Sequence, residues 1–324
     1  MPPRLVVGVD IGGTKLAGGV VDERLQVHER VQRSMFDRDT PALLDTIADA
    51  VQELINTAAG EVGAVGFGIP SLIDRRSGTS VIAVNLPLED VRFGALMAER
   101  LDLPVFVDND GNLAALAEHR GGVAAGVDDF VLMALGTGIA GGLILGGELY
   151  RGWLGAGAEL GHMVIDMNGP KCQGNCPNHG CIEAMASGTA LRREARRIAE
   201  EQPGSALAEA FTAGRELDGA LVTELAHDGD GAAVAVLELI GTRLGVAFAN
   251  LVNIFNPEMI VVGGGVIAAG EMLLEPARAE MLRRALPPSR DAVQVVAAHY
   301  GAEAGMVGAA ALAFDGLNTR EGGT

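Results

Sequence analysis

The sequence predicts a two-domain α/β protein that holds a ligand between its halves. Three observations predict it. The chain has 324 residues, too many for one minimal core. Hydrophobic residues make up 48% of it, enough to fill two interiors. An opening strand–glycine turn–strand unit restarts about a hundred residues later, which points to a duplicated architecture.

Leu5-Val6-Val7-Gly8-Val9-Asp10 is a short apolar strand, Ile11-Gly12-Gly13-Thr14 a turn, and Lys15 to Val21 a returning strand. Thr40-Pro41 opens an amphipathic helix, with Thr40 as its cap and Pro41 at its first position. Leu44, Ile47, Val51, Leu54 and Ile55 recur at helical spacing, with Asp45, Asp49 and Glu53 largely opposite. Val62 to Gly68 and Leu103 to Val107 read as buried strands, and Asn112 to His119 as helix. The pattern then restarts, with Phe130 to Leu135 a strand, Gly136-Thr137-Gly138 a turn and Ala140 to Leu145 a second strand. Val234 to Phe255 is a long, mostly apolar helix ended by Asn256-Pro257. Met259 to Val262 is a buried strand that runs into Gly263-Gly264-Gly265, with a helix after Val266. Gly301 to Phe314 is a helix dense in alanine and glycine, which permits close packing. The boundary between the units falls in Gly121-Gly122-Val123, giving residues 1–121 and 122–300.

Acidic residues outnumber basic ones by 42 to 24, for a formal net charge of -18. Such a field repels phosphate backbones, which argues against nucleic acid and anionic membrane as the main partner. Arginine carries the positive charge, because Lys15 and Lys171 are the only lysines. The N-terminus passes from Pro2-Pro3-Arg4 straight into the first strand, without an apolar signal core, so a cytoplasmic location is expected. The nearest approach to a membrane span is Phe130 to Leu149, and its glycines read better as strand, turn, strand. Asn318 to Thr324 is the one stretch that reads as a disordered tail.

Three glycine-rich turns follow strands. In Asp10-Ile11-Gly12-Gly13-Thr14-Lys15 the glycines bring N–H groups close to phosphate oxygens, Thr14 and Lys15 add a hydroxyl and a cation, and Asp10 can hold magnesium through water. Gly136-Thr137-Gly138 and Gly263-Gly264-Gly265 supply further donors around a triphosphate. Singly, each also reads as a plain hairpin or strand-to-helix turn. Together they match neither the dinucleotide fingerprint nor the P-loop, which argues against a Rossmann dehydrogenase and a P-loop NTPase.

Asp108-Asn109-Asp110-Gly111-Asn112 follows a strand and precedes a helix, where a carboxylate can reach a cleft. A hydroxyl nucleophile needs its proton accepted, so a kinase of alcohols benefits from a carboxylate there. On extended chain Asp108 and Asp110 would share a face; an Asx turn with a helix cap is the other interpretation. His162, Cys172, Cys176 and Cys181 lie within twenty residues and supply the four ligands of a closed, structural zinc site. His179 is a substitute fourth ligand, or an exposed loop histidine. Glu159 and Glu183 flank the knuckle; paired acceptors suit a polyhydroxyl ligand, and solvated surface is the alternative.

In this order the motifs resemble those of the ROK family of sugar kinases and repressors, and within it the bacterial glucokinases. The resemblance spans nearly the whole chain. It rests on Gly8 to Lys15, Asn85-Leu86-Pro87, Asn109-Asp110, Leu135 to Gly138, Glu159-Leu160-Gly161-His162, the cysteine knuckle with Gly180-Cys181-Ile182-Glu183, and Gly301-Ala302-Glu303-Ala304-Gly305. It implies an actin-like, hexokinase-type ATPase fold (ribonuclease H-like) with two α/β domains around a cleft, the C-terminal helix at about 301–316 returning to the first domain. It implies phosphoryl transfer from Mg-ATP to a hexose 6-hydroxyl, glucose first, in carbohydrate metabolism, with Asp110 as the base. Asn85, Asn109, Glu159, His162 and Glu183 would hold the sugar, with His162 bound through its other nitrogen to zinc. Family habit adds a homodimer or homotetramer. The chain departs from the family in three places: Cys172 and Cys176 are separated by Gln173-Gly174-Asn175 where members usually have Cys-x-Cys, Asp108 and Gly111 replace Glu and Ala, and Pro70-Ser71-Leu72 replaces Pro-Gly-Pro. Kinases for mannose, fructose, N-acetylglucosamine or N-acetylmannosamine are the neighbouring expectation. A non-catalytic sugar-responsive repressor is the distant one, since such relatives carry a helix-turn-helix before the first strand.

Overall fold

Two five-stranded mixed sheets organise the computed structural model, which describes residues 4–35, 38–74, 77–83 and 86–322. The first half runs β1 (Leu5–Ile11), β2 (Lys15–Asp22), β3 (Val27–Ser34), α1 (Thr40–Thr57), β4 (Val62–Ile69), the small hairpin β5 (Ser71–Asp74) and β6 (Thr79–Ala83), α2 (Phe93–Leu101), β7 (Val105–Asn109) and α3 (Asp110–Gly121). The second half runs β8 (Phe130–Leu135), β9 (Ile139–Leu145), β10 (Glu148–Leu149), α4 (Ile182–Ala186), α5 (Gly188–Glu201), α6 (Ala206–Thr212), α7 (Gly219–His227), α8 (Gly231–Phe255), β11 (Met259–Gly263), α9 (Glu271–Arg284), α10 (Ser289–Ala292), β12 (Gln294–Ala297) and α11 (Ala304–Gly322).

The sheet orders, β3-β2-β1-β4-β7 and β10-β9-β8-β11-β12, express the duplication seen in the sequence. In each, an antiparallel hairpin (β1 with β2, β8 with β9) is extended by parallel strands, β4 and β7 or β11 and β12. Both glycine turns therefore sit at the tip of a hairpin whose first strand is central, and a central strand end opens onto a crevice.

α1 lays Leu43, Leu44, Ile47, Ala50, Val51 and Leu54 against the first sheet. Its cap is Asp39, whose carboxylate accepts from the Ala42 amide, not Thr40. The Thr40 hydroxyl instead donates to the Pro87 carbonyl, at 2.6 Å. β7 begins two residues later than expected, because Asp102 ends α2 in the left-handed conformation and the chain is still turning at Leu103-Pro104. α3 begins two residues earlier than expected, because the Asn109 side chain accepts from the Gly111 and Asn112 amides and caps it.

α11 returns to the first sheet. A Cβ built on Gly8 of β1 would stand 2.1 Å from the Met306 carbonyl oxygen, and one on Gly66 of β4 1.8 Å from that of Ala309. Glycine at both positions lets helix and sheet backbones touch. The expected disordered tail is corrected over Asn318 to Gly322, where α11 continues, with Leu317 just before it packed on the cluster of Val6, Ala64 and Phe314; Gly323 and Thr324 lie outside the described residues.

Between the halves the chain crosses twice, and Glu118 of α3 holds both crossings. Its buried carboxylate accepts from Val123 on the first, at 3.0 Å, and from His299 and Tyr300 on the second, at 2.8 and 2.9 Å. By length and composition α8, not Phe130–Leu149, is the helix among the described residues that could cross a membrane. It is instead a core helix, whose Gly241 and Gly245 admit α9 to the closest approach.

Candidate active site

The site forms where α3 of the first half meets β9 of the second. A Cβ on Gly111 would lie 2.4 Å from the Gly141 carbonyl oxygen, so the N-terminus of α3 is seated directly on β9. Asp110, in the first turn of α3, thereby sits half-buried at this junction. Burial pushes its carboxyl above the ordinary range. Asp10, at the end of β1, is pushed up to about 7, first by burial and then by the negative charge of Asp110, against the pull of Lys15. Glu159 is raised too: burial leads, the charges of Asp110 and Glu183 add, and His162 opposes. Asp10, Asp110, Glu159, His162 and Glu183 thus make one connected acidic cluster. Three carboxylates held above their usual range, Asp10 and Asp110 half-buried and Glu159 exposed, form a site poised for a cation or for hydroxyl donors.

Asp108 does not share this face. Helix begins at Asp110, so the expected extended alternation is broken. The Asp108 carboxylate turns to Arg151 Nε at 2.5 Å and Asn112 Nδ2 at 2.9 Å. Asn109 spends its side-chain oxygen on the helix cap, and its amide faces the Ser71 carbonyl at 3.4 Å. Asn85 lies outside the described residues.

The first glycine turn is closed by Gly12 N–H on the Lys15 carbonyl, 2.8 Å, leaving Gly13 and Thr14 at the tip, with Thr14 exposed. The second and third glycine clusters abut. Gly264, at φ 83°, lies against Leu135, where a Cβ would come within 2.5 Å of backbone, while Gly265 faces open space. Gly138 leaves room for Glu183: a Cβ there would be 2.3 Å from Glu183 Oε2, which accepts from the Ile139 amide. Thr137 offers its carbonyl to Thr189 and Gln173.

His162 Nδ1 and the Sγ atoms of Cys172, Cys176 and Cys181 all lie within 4.8 Å of one another. Cys176 and Cys181 are 3.8 Å apart and Cys172 is 3.5 Å from His162 Nδ1. A tetrahedron with Zn–S bonds of about 2.3 Å has S···S edges of about 3.8 Å, so the Cys176–Cys181 edge matches zinc and the whole set lies within about an ångström of its geometry. Burial pushes the Cys172 thiol up to about 12, helped by the neighbouring sulfurs, a state that a bound cation reverses. The longer Cys172–Cys176 loop therefore keeps the donor set, helped by Gly174 and Gly180 at positive φ. His179 stays outside it, exposed, with Nδ1 against the Gly169 carbonyl. Cys172 Sγ is also 3.8 Å from Glu183 Oε1, which joins the metal cluster to the acidic one.

Three neighbours of the site escaped the sequence. Gly305 of α11 presses on Asp10, where a Cβ would stand 2.5 Å from Cγ. Gln173 braces the second turn through Thr137 and Ser187. Arg151 reaches Asp108 from the other half. Only Gly305 carried a signal, as the last residue of Gly301-Ala302-Glu303-Ala304-Gly305.

Duplicated hairpin-and-parallel sheets, facing glycine turns and a half-buried carboxylate at their junction define an actin-like, hexokinase-type fold. The chain belongs to the ROK family, whose model matches residues 6–315. It is 34% identical to the glucokinase of Thermotoga maritima over 314 residues, 96% of this chain and 98% of that protein. A crystal structure of a ROK family glucokinase from Streptomyces griseus, in complex with glucose and AMPPNP, superposes with a TM-score of 0.85 at 36% identity, covering 96% of this chain and 99% of that one. The xylose repressor of Bacillus spizizenii is also similar, at 27% identity over 95% of this chain and 77% of that protein.

Proposed function

We propose that this chain is a cytoplasmic sugar kinase that transfers the γ-phosphoryl group of Mg-ATP to a hexose 6-hydroxyl, glucose foremost, with Asp110 as general base. One observation supports the assignment: the charge of Asp110 acts both on Asp10 of the phosphate-type turn and on Glu159, which His162 and Glu183 also influence. The glucokinase relatives support the choice of sugar and donor.

In this mechanism the sugar hydroxyls are bound by Glu159, Glu183 and the free nitrogen of His162, with Asn109 and Asn85 as further ligands. Asp110 accepts the proton of the attacking hydroxyl. A carboxyl above its ordinary range is a better base than a free one, provided it is ionised at the working pH. Amides of Gly13, Thr137, Gly138 and Gly263 to Gly265 stabilise the phosphoryl charge, with Thr14 and Lys15, while the Gly12 and Gly136 amides close their turns on the Lys15 and Gly138 carbonyls and Asp10 orients the hydrated magnesium of the nucleotide. Zinc at His162, Cys172, Cys176 and Cys181 would fix the imidazole and the knuckle that carries Glu183. Residues 1–121 with α11 would move against 122–300, closing the cleft and excluding water.

The test is ADP release across glucose, mannose, fructose, N-acetylglucosamine and N-acetylmannosamine, with ATP and polyphosphate compared. Glucose with ATP is expected to give the highest kcat/KM. Asp110→Asn is expected to cut kcat by about 10²–10⁴-fold while sugar binding persists; wild-type turnover in that variant removes the base assignment. Salt-resistant binding of operator-type DNA with no kinase activity would instead favour a repressor.

A further inference from the structure

The geometry points to Arg151 as a positioning residue for this transfer: its ion pair with Asp108 registers the two halves of the site against each other. The inference rests on the role given to Asp110 above. Arg151 follows β10, at the edge of the second sheet, and Asp108 is the penultimate residue of β7, at the edge of the first. The Nε–Oδ2 distance is 2.5 Å, and the side chains are only 13% and 5% exposed. A pair this sheltered is screened far less than a surface pair, and breaking it leaves a charge stranded.

Each partner is wired to one side of the chemistry. The other Asp108 oxygen accepts from the Asn109 amide at 2.8 Å and from Asn112 Nδ2 at 2.9 Å, the residues flanking Asp110. Asn112 is itself buried, and its side-chain oxygen has no partner, so nothing else fixes that amide. Arg151, for its part, closes the loop that leads to Glu159. Its carbonyl accepts from the Gly157 amide at 2.8 Å, and the loop tip at Gly155 rests on Ile73 of β5, where a Cβ would be 2.5 Å from the carbonyl oxygen. One ion pair therefore sets the distance between the proton acceptor and the sugar-side carboxylate. Neither residue faces the acidic cluster, so the pair acts through Asp110 and Glu159 rather than on substrate.

The experiment compares Arg151→Met, Arg151→Lys, Asp108→Asn and the Arg151→Met/Asp108→Asn double variant with wild type in kcat, both KM values and Tm. Positioning predicts that Arg151→Met lowers kcat by about 10- to 100-fold, the scale of an ångström of misplacement, with a smaller change in sugar KM. Arg151→Lys recovers part of the loss, and the double variant is no worse than the poorer single one. Wild-type kcat in Arg151→Met overturns the inference. So do losses that multiply in the double variant, or that follow Tm with no benefit from lysine. Asp110→Asn, run alongside, separates the two readings: normal turnover there removes the base, whereas normal turnover in Arg151→Met alone removes only the positioning role.

Discussion

Asp10 and Asp110 approach each other over Gly68: a Cβ on that glycine would stand 3.6 Å from Asp10 Oδ1 and 3.8 Å from Asp110 Cα. The charge of Asp110 raises the Asp10 carboxyl, so the two are electrostatically linked. A protonated Asp110 cannot accept a proton, so kcat/KM is expected to fall as pH drops. The midpoint of that fall should lie above the ordinary carboxylate value of about 4. Burial, not Asp10, raises the Asp110 carboxyl, so Asp10→Asn should leave the acid limb of the residual activity where it is. A pH–rate profile of both proteins checks it.

The same pair weakens the unliganded protein. The folded pKa of Asp10, about 7, is above its unfolded value, so the folded state holds the extra proton. The contribution of Asp10 to stability is then fully present below its unfolded pKa and is lost as pH rises through the folded pKa. Asp10→Asn carries no charge to desolvate. It should raise Tm of the ligand-free protein by about 2 °C or more at pH 8, and lose that advantage near pH 4. Calorimetry at the two pH values decides.

Metal removal should uncouple the sugar side. Metal analysis is expected to find about one zinc per chain, and a strong chelator should lower Tm. Cys181→Ser should do the same and raise the sugar KM, since Cys172 and Glu183 meet within the same cluster. An unchanged Tm in chelator, with no zinc found, would remove the metal from the account.

Gly138→Ala tests the second turn. The new methyl would collide with Glu183 Oε2, which also accepts from Ile139. Glu183 must then swing away, and kcat/KM for sugar should drop by about tenfold or more. Gly66→Ala is the contrasting case, far from substrate: the clash is with the Ala309 backbone, and the expected loss is stability, about 2 kcal/mol or more, read as Tm.

What the sequence revealed follows physical rules. The grouping of His162 with the three cysteines was legible because cysteine and histidine at short spacing are rare without a metal. The hairpins were legible because apolar strands around glycine turns have few other uses. The Asp108–Arg151 pair was not, since 43 residues separate the partners and an arginine announces no particular contact. Glu118, in Glu118-His119-Arg120, looks like the polar face of any helix until the fold buries it. The alternation of Asp108 and Asp110 misled, because the Asn109 cap turns extended chain into helix between them. The assignment of Asp39 rather than Thr40 as a cap is a one-residue matter that only the side-chain contact decides.

The helix that covers β1 and β4 follows both sheets in the chain, and this opposes the order of synthesis to the order of assembly. While the protein is being translated, the first sheet waits with one apolar face bare until α11 leaves the ribosome. Truncation before Val307 therefore harms the region most distant from it in sequence. The nascent first sheet, rather than the second, is where a chaperone would find its grip.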